Sequence, residues 1–216
     1  MGVLERRERE KQELREQILD AARTLFAREG YEAVTMRKVA EAIEYSPTSI
    51  YLYFKDKDEL LRELCNQDFG HLAHHYQAIA AIPDPIEKLR RTGAAYLEFG
   101  LERPNHYRLM FMTEKPKQHL DEEMAAKKGN PDEDAYAFLR MIVSDCIAQG
   151  KFREDLTDAD SIAQILWAGV HGLVSLHIVM CDEYWVGWRP VRELAQTLID
   201  TQLNGLLRYP RIEGRK

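Results

Sequence analysis

Residues 34–61 read VTMRKVAEAIEYSPTSIYLYFKDKDELL, and the fold follows from the helix start and stop signals in them. Thr35 carries an N-cap hydroxyl, able to accept from the amide of residue 37 or 38. Val39, Ala40 and Ile43 then share one face, as a buried helix side requires. Ser46 and Pro47 restart a helix, with Ser46 as cap and Pro47 at the first helical position, where a missing N–H costs nothing. Ile50 and Phe54 are four apart and point inward together. Asp56 and Glu59 form a D-x-x-E capping box that opens a third helix. Only Glu44 and Tyr45 are left between the first two helices, so the turn is tight.

Two short helices joined this closely fit the major groove of DNA. Arg37 and Lys38 lie in the first turn of a helix, where the dipole disfavours cations by roughly 0.3–1 kcal/mol each. A phosphate at that helix end reverses the balance, and Arg37 can instead reach a guanine edge. The second helix exposes Ser46, Pro47, Thr48, Ser49, Leu52 and Tyr53, short side chains suited to close approach plus an aromatic. Lys55 and Lys57 follow at the next helix start, within range of phosphate. Each residue taken singly reads as an ordinary solvated position; their order together points to DNA.

At these residues the chain resembles the TetR family of bacterial transcriptional regulators. The family pattern is close to T-x-x-x-[IVL]-A-x-x-x-G-[VY]-S-x-x-x-[ILV]-Y-x-[YH]-F-x-[SDN]-K-x-x-L. Thr35, Val39, Ala40, Tyr45, Ser46, Ile50, Tyr51, Tyr53, Phe54, Asp56, Lys57 and Leu60 match it, within a likeness covering about residues 10–62. The resemblance implies that Thr35, Tyr51 and Lys57 contact phosphates, and that Arg37 and residues 47–49 face bases. One departure stands out: the usual turn glycine is Glu44. A left-handed backbone there would strain Glu44 by about 1–2 kcal/mol.

The composition suits a soluble globular chain. Of 216 residues, 45% are apolar and 31% charged, with a net charge of −6. Residues 1–60 hold 11 Lys and Arg against 13 Asp and Glu, which argues against a generic polyanion binder but allows a specific one with few, locally placed cations. Cys65, Cys146 and Cys181 are few and far apart, as in reduced cytosolic proteins. The first 16 residues are charged throughout and carry no secretory signal, so a cytoplasmic location is expected.

Helical periodicity continues to the end. Residues 8–29 carry Leu14, Ile18, Ala21, Ala22, Leu25 and Phe26, stopped by Gly30. A helix from Lys57 is predicted to run to about Ala80, and Asp84 and Pro85 start another that Pro104 breaks. A short helix follows through Tyr107, Met110 and Phe111. Residues 113–129 read as a mobile connection, and Asn130, Pro131 and Glu133 as the start of a helix ending at Gly150. Thr157 is the predicted cap of the next helix, and Pro190 starts the last. The expectation is an all-α chain of about nine helices. Residues 1–60 form a helix-turn-helix DNA-binding domain of three helices (motif about 34–53), and residues 61–210 a helical ligand-binding and dimerisation domain.

Residues 162–181 hold no formal charge and are long enough to span a bilayer. They contain Gln164, His171, Ser175 and His177 and lack a flanking cationic anchor, so a helix buried between its own core and a partner chain is expected, not a membrane span. Val191, Leu194, Ala195, Leu198, Ile199, Gln202, Leu203 and Leu206 make the last helix's stripe. Together these two helices predict a homodimer through a four-helix bundle, which would set two reading helices about 34–36 Å apart on a palindromic operator of double-stranded DNA.

The C-terminal half also resembles a TetR subgroup named for a Trp-His-Gly signature, here Trp167, Ala168, Gly169, Val170, His171 and Gly172 with Arg103-Pro104 and Tyr107 to Phe111 upstream. Tyr96, Phe99, Tyr107, Met110, Phe111, Phe138, Met141, Trp167 and His171 could line a site for a small apolar or amphipathic effector, though at helical spacing each is more often plain core. His71 and His75 share a helix face, but no carboxylate or cysteine is clearly placed to complete a metal site, so neither metal nor cofactor is expected. No nucleophile elbow, phosphate loop or acid–base pair suggests an enzyme. Residues 212–215, IEGR, resemble a protease tag and are left out of fold reasoning. The competing function is a helical adaptor or small-molecule carrier that no longer binds DNA, with Glu44 and the acidic N-terminal segment as its hints.

Overall fold

In a computed structural model that describes residues 2–113, 122–181 and 184–208, the described chain is helical apart from an isolated bridge between Phe152 and Leu207. The IEGR segment lies outside the described residues. The described residues form eleven helical segments: α1 (Val3–Glu29), α2 (Met36–Ala42), α3 (Pro47–Tyr51), α4 (Lys57–His75), α5 (Gln77–Ala80), α6 (Pro85–Glu102), α7 (Pro104–Phe111), α8 (Glu122–Lys127), α9 (Ala135–Ala148), α10 (Ala159–Met180) and α11 (Val191–Leu206). Two of them account for the difference from nine. At Tyr76 the chain switches to i→i+3 bonds, Tyr76 N–H to Ala73 and Ile79 N–H to Tyr76, and this tightening separates α5 from α4. α8 lies within the stretch expected to be a mobile connection, of which residues 114–121 are outside the described set.

Several boundaries move for identifiable reasons. α1 begins before residue 8 because Arg6–Glu10 and Arg9–Glu13 pair at i,i+4 along its charged first turns. α9 is capped by Asp134, whose carboxylate accepts from Tyr136 and Ala137, not by residues 130–133. Asp158, not Thr157, caps α10 by accepting from Asp160. In both cases a carboxylate nearer the helix, four residues on from Asn130 and one on from Thr157, displaces the expected cap.

The chain divides into two compact units. The first holds Met1–Phe69 and takes in Arg103 onward, so α7 folds with α1–α3 although it lies far along the sequence. Ile18, Ala22, Phe26, Val39, Ala40, Ile50, Leu60, Leu61 and Leu64 are fully buried in one core, and Leu109 of α7 joins them. The expected 1–60 segment is thus accompanied in its unit by the rest of α4 through Phe69 and by α7. The second unit holds Gly70–Glu102 and the chain from Ala125, where α6, α9, α10 and α11 pack on one another. Gly93 lets α6 and α11 meet closely: a Cβ there would lie 3.0 Å from Ile199 Cδ1.

Within the single chain α10 is covered on one face. Ile162, Ala163, Val170 and Val174 are buried, while Ile165 (59% exposed), Ala168, Leu176 (48%) and Val179 (64%) are not covered by the described residues. The helix is long and apolar enough to cross a membrane by length and composition alone. Cys65 and Cys146 are buried, and desolvation pushes the Cys146 thiol up to about 12.

Candidate nucleic-acid interface

The α2–turn–α3 segment is built by local hydrogen bonds. Thr35 Oγ1 accepts from the Lys38 amide at 3.2 Å, and Ser46 Oγ accepts from the Ser49 amide at 3.2 Å. Between these caps, Glu44 N–H donates to Glu41 O and Tyr45 N–H to Ala40 O, the paired bonds of a Schellman turn. That turn places its C′ residue in the left-handed region, and Glu44 has φ of 59°. Glu44 therefore takes the backbone state that glycine would take, and the turn is preserved at a strain of about 1–2 kcal/mol. The third helix opens with a variant of the predicted box: Asp56 Oδ1 accepts from Glu59 N–H at 2.8 Å, but Glu59 Oε2 reaches back to Lys55 N–H at 2.5 Å, one residue earlier than expected.

Packing fixes which side chains face out. Val39, Ala40, Ile50 and Phe54 are buried, which leaves Thr35, Arg37, Lys38, Ser46, Pro47, Thr48, Tyr51 and Lys55 exposed. Ser49 is half-buried, its Oγ 2.9 Å from Ser46 Oγ. Tyr53 is half-buried too and packs on the core. Arg37 pairs with Glu41 at 2.8 Å while both remain largely exposed, a solvent-screened contact of little stability that a phosphate or base edge can replace. Lys38 donates to Glu29 (2.9 Å) and to Ala33 O (2.8 Å), which offsets its unfavourable place at a helix start. Hydrogen bonds from Arg28 and then Lys38 hold the Glu29 carboxyl below its ordinary value.

Lys57 has a role the sequence did not reveal. Its ammonium donates to Tyr31 O (3.1 Å) and Val34 O (3.4 Å) and lies 4.0 Å from the Tyr31 ring centroid. It thereby ties the start of α4 to the link before α2. Tyr31 in turn donates to Asp58, and desolvation first, then that carboxylate, push the phenol's pKa up.

A second cluster in this unit was also missed. Asp68 of α4 is fully buried; its Oδ1 accepts from Arg23 Nη2 of α1 at 3.2 Å and lies 2.7 Å from His106 Nδ1 of α7. Arg23 also reaches Asp20 at 2.6 Å. The signal was present: Asp68 follows Leu60 and Leu64 at four-residue spacing, a charge on an apolar stripe.

The residues proposed for an effector are divided by the fold. Tyr107, Met110 and Phe111 belong to the first unit, where Tyr107 and Phe111 ring centroids are 4.9 Å apart. Tyr96, Phe99, Phe138, Met141, Trp167 and His171 belong to the second. Phe99 and Phe138 are core, with Phe138 stacked on Tyr76 at 5.3 Å, and Met141 is half-buried. Trp167, Tyr96 and His171 form a polar chain: Trp167 Nε1–H donates to Tyr96 Oη (3.0 Å), which lies 2.9 Å from His171 Nδ1, and His171 Nε2 lies 3.3 Å from Ser175 Oγ. Burial lowers the His171 pKa, favouring the neutral ring. Tyr96 oxygen already accepts from Trp167, so its proton suits Nδ1 and leaves the Nε2–H tautomer facing Ser175. His75 is not set up as a ligand with His71; its Nδ1 meets the His71 carbonyl at 3.0 Å and its ring packs edge-on to Phe99.

Known proteins place this arrangement. Residues 18–64 match the profile described as bacterial regulatory proteins, tetR family, and residues 89–201 match the tetracyclin repressor-like C-terminal domain, the latter alone spanning more than half of the chain. The chain belongs to the TetR family. It is a DNA-binding transcriptional regulator, and the adaptor reading is not favoured. The transcriptional repressor KstR2 of Mycolicibacterium smegmatis is 26% identical over 153 residues, 70% of this chain and 73% of that protein. AcrR of Shigella flexneri is 38% identical over 85 residues, 38% of this chain and 39% of that regulator. Among solved structures, the TetR-family regulator PfmR of Thermus thermophilus has a TM-score of 0.67 at 25% identity, covering 89% of this chain and 96% of its own.

Proposed function

We propose that this TetR-family protein is a cytoplasmic homodimeric repressor that leaves a palindromic operator when a small apolar or amphipathic molecule binds its C-terminal unit. The observation that carries the reading is the surface of α2 and α3: short and cationic side chains outward, apolar ones inward, on a turn held in the family's geometry despite Glu44. On this reading Thr35, Tyr51 and Lys57 meet phosphates, Arg37 and Pro47, Thr48 and Ser49 face bases, and Lys38, Ser46, Tyr53 and Lys55 flank them. Lys57 does this while its ammonium keeps α4 in register with the backbone at Tyr31 and Val34. The DNA-reading function is assigned to residues 1–60 and the regulatory one to 61–210.

The uncovered apolar residues of α10, beside α11, support dimerisation through these two helices. The finer subgroup with a Trp-His-Gly signature fits the shared contact of Trp167 and His171 with Tyr96. Those three polar groups beside apolar neighbours suit a ligand that is mostly hydrocarbon with one polar end. A ligand shifts operator binding only through unequal affinity for the two states. Selection of bound sequences from random duplexes tests the function. The expected result is a palindrome with half-sites about one helical turn apart, bound more weakly as salt rises; recovery of no enriched sequence contradicts it.

A further inference from the structure

Sequence spacing pairs His71 with His75, but the fold gives His71 other company. Asp68, His71 and His106 each offer one ligand atom, and these atoms all lie within 4.8 Å of one another. Asp68 and His71 are three residues apart on α4, so carboxylate and imidazole share a face one turn apart. The same spacing of carboxylate and histidine holds metals inside helix bundles. The third group comes from α7: His106 Nδ1 lies 2.7 Å from Asp68 Oδ1. Burial is graded across the set, with Asp68 buried, His106 half-buried and His71 exposed, which leaves a way in from solvent.

Charge and ligand softness decide what such a set takes. Arg23 is shared by Asp68 and Asp20, at 3.2 and 2.6 Å, so two carboxylates face one guanidinium and one negative charge is left over. A cation suits that surplus. Two imidazoles beside one carboxylate favour a first-row transition ion, whereas Mg2+ and Ca2+ prefer oxygen alone. We propose that Asp68, His71 and His106 form a site for a divalent transition-metal ion of the Zn2+ type, which ties α4 to α7. Bonds of about 2.0–2.2 Å set neighbouring ligand atoms about 3–3.5 Å apart, so the Asp68–His106 contact opens slightly and small side-chain movements complete the set. His106 releases to solvent the proton it shares with Asp68 as its nitrogen takes the ion. Arg23 stays on Asp68 and fixes the carboxylate from its outer side. Three protein ligands leave a coordination position for water. A purely structural knot satisfies Asp68 with Arg23 and His106 and gives His71 no part. The site stands apart from the operator and effector readings.

Cobalt reports it, since Co2+ takes the same ligands as Zn2+ and absorbs visible light when bound. The full-length protein is stripped with a chelator and titrated with Co2+. The expected result is one Co2+ per chain, displaced by Zn2+. His71→Ala and His106→Gln should each weaken binding by about 100-fold or more, the upper end of what loss of an outer-shell partner costs. His74→Ala, exposed on the same helix, should not. Zn2+ at about 100 times its Kd should raise the wild-type Tm by about 5–10 °C and that of His71→Ala far less. His71 is exposed, so its replacement leaves the fold undisturbed, and Gln at position 106 keeps an N–H for Asp68. Absence of a visible Co2+ spectrum in the wild type overturns the site. So does binding that both histidine variants retain, or that only one of them loses. Binding lost in Cys181→Ser instead assigns the ion to that thiol and overturns it as well.

Discussion

Replacing Arg23 with Met strands a carboxylate in the first unit's interior. Asp68 is fully buried and the Arg23 side chain is 8% exposed, so neither charge is screened as a surface pair is. Removing one member of such a pair costs about 3–5 kcal/mol. For a chain of this size each kcal/mol moves Tm by about 2–4 °C, so Arg23→Met should melt about 6–20 °C lower. Arg37→Ala removes a pair whose members are 80% and 59% exposed and screened by solvent, so it should barely move Tm. Replacing both partners, Arg23→Met with Asp68→Leu, should recover most of the loss, because no uncompensated charge remains. His106 Nδ1, 2.7 Å from Asp68, is the polar contact that remains in the single variant. Circular-dichroism melts at one fixed protein concentration give the comparison, since self-association shifts Tm. An Arg23→Met shift no larger than that of Arg37→Ala refutes the reasoning.

Two further outcomes follow from single positions. Glu44 sits at φ of 59°, so Glu44→Gly should leave stability unchanged or raise it by up to about 1 kcal/mol, relief of strain being partly offset by a freer unfolded chain; Glu44→Ile should lower it, and equal melts for both variants contradict a strained turn. Burial lowers the His171 pKa, so below its ordinary value the unfolded chain binds the proton first. Stability should therefore fall as pH drops through about 6.5 toward the folded value, and His171→Gln should flatten that slope; an unchanged slope contradicts it.

The N-terminal elements were legible because their signals are local. Thr35, Ser46 and Pro47 act on neighbours one to three residues away, and α2 and α3 start where these residues say. Glu44 was legible as a departure, and only the backbone showed that the turn absorbs it. What the sequence hid is long-range. No periodicity tells that Leu109 of α7 shares a core with Phe26, or that Lys57 reaches the carbonyls before α2, because both contacts join residues more than twenty positions apart. The partition of the effector set was hidden for the same reason: helical spacing names inward faces but not which core they enter, and the fold divides those residues between two units. Cap placement at Asp134 and Asp158 was lost to competition between adjacent polar residues, which spacing does not rank.

The central claim is that the outward face of α2 and α3 reads bases. Fluorescence anisotropy on a duplex recovered by selection, with a scrambled duplex of equal length as control, measures it directly. Arg37→Ala/Thr48→Ala changes only exposed side chains assigned to bases and should leave melting nearly intact. The account predicts that affinity for the selected duplex falls about 100-fold while affinity for the scrambled one changes far less. Equal affinity of wild type and variant for the selected duplex would contradict it.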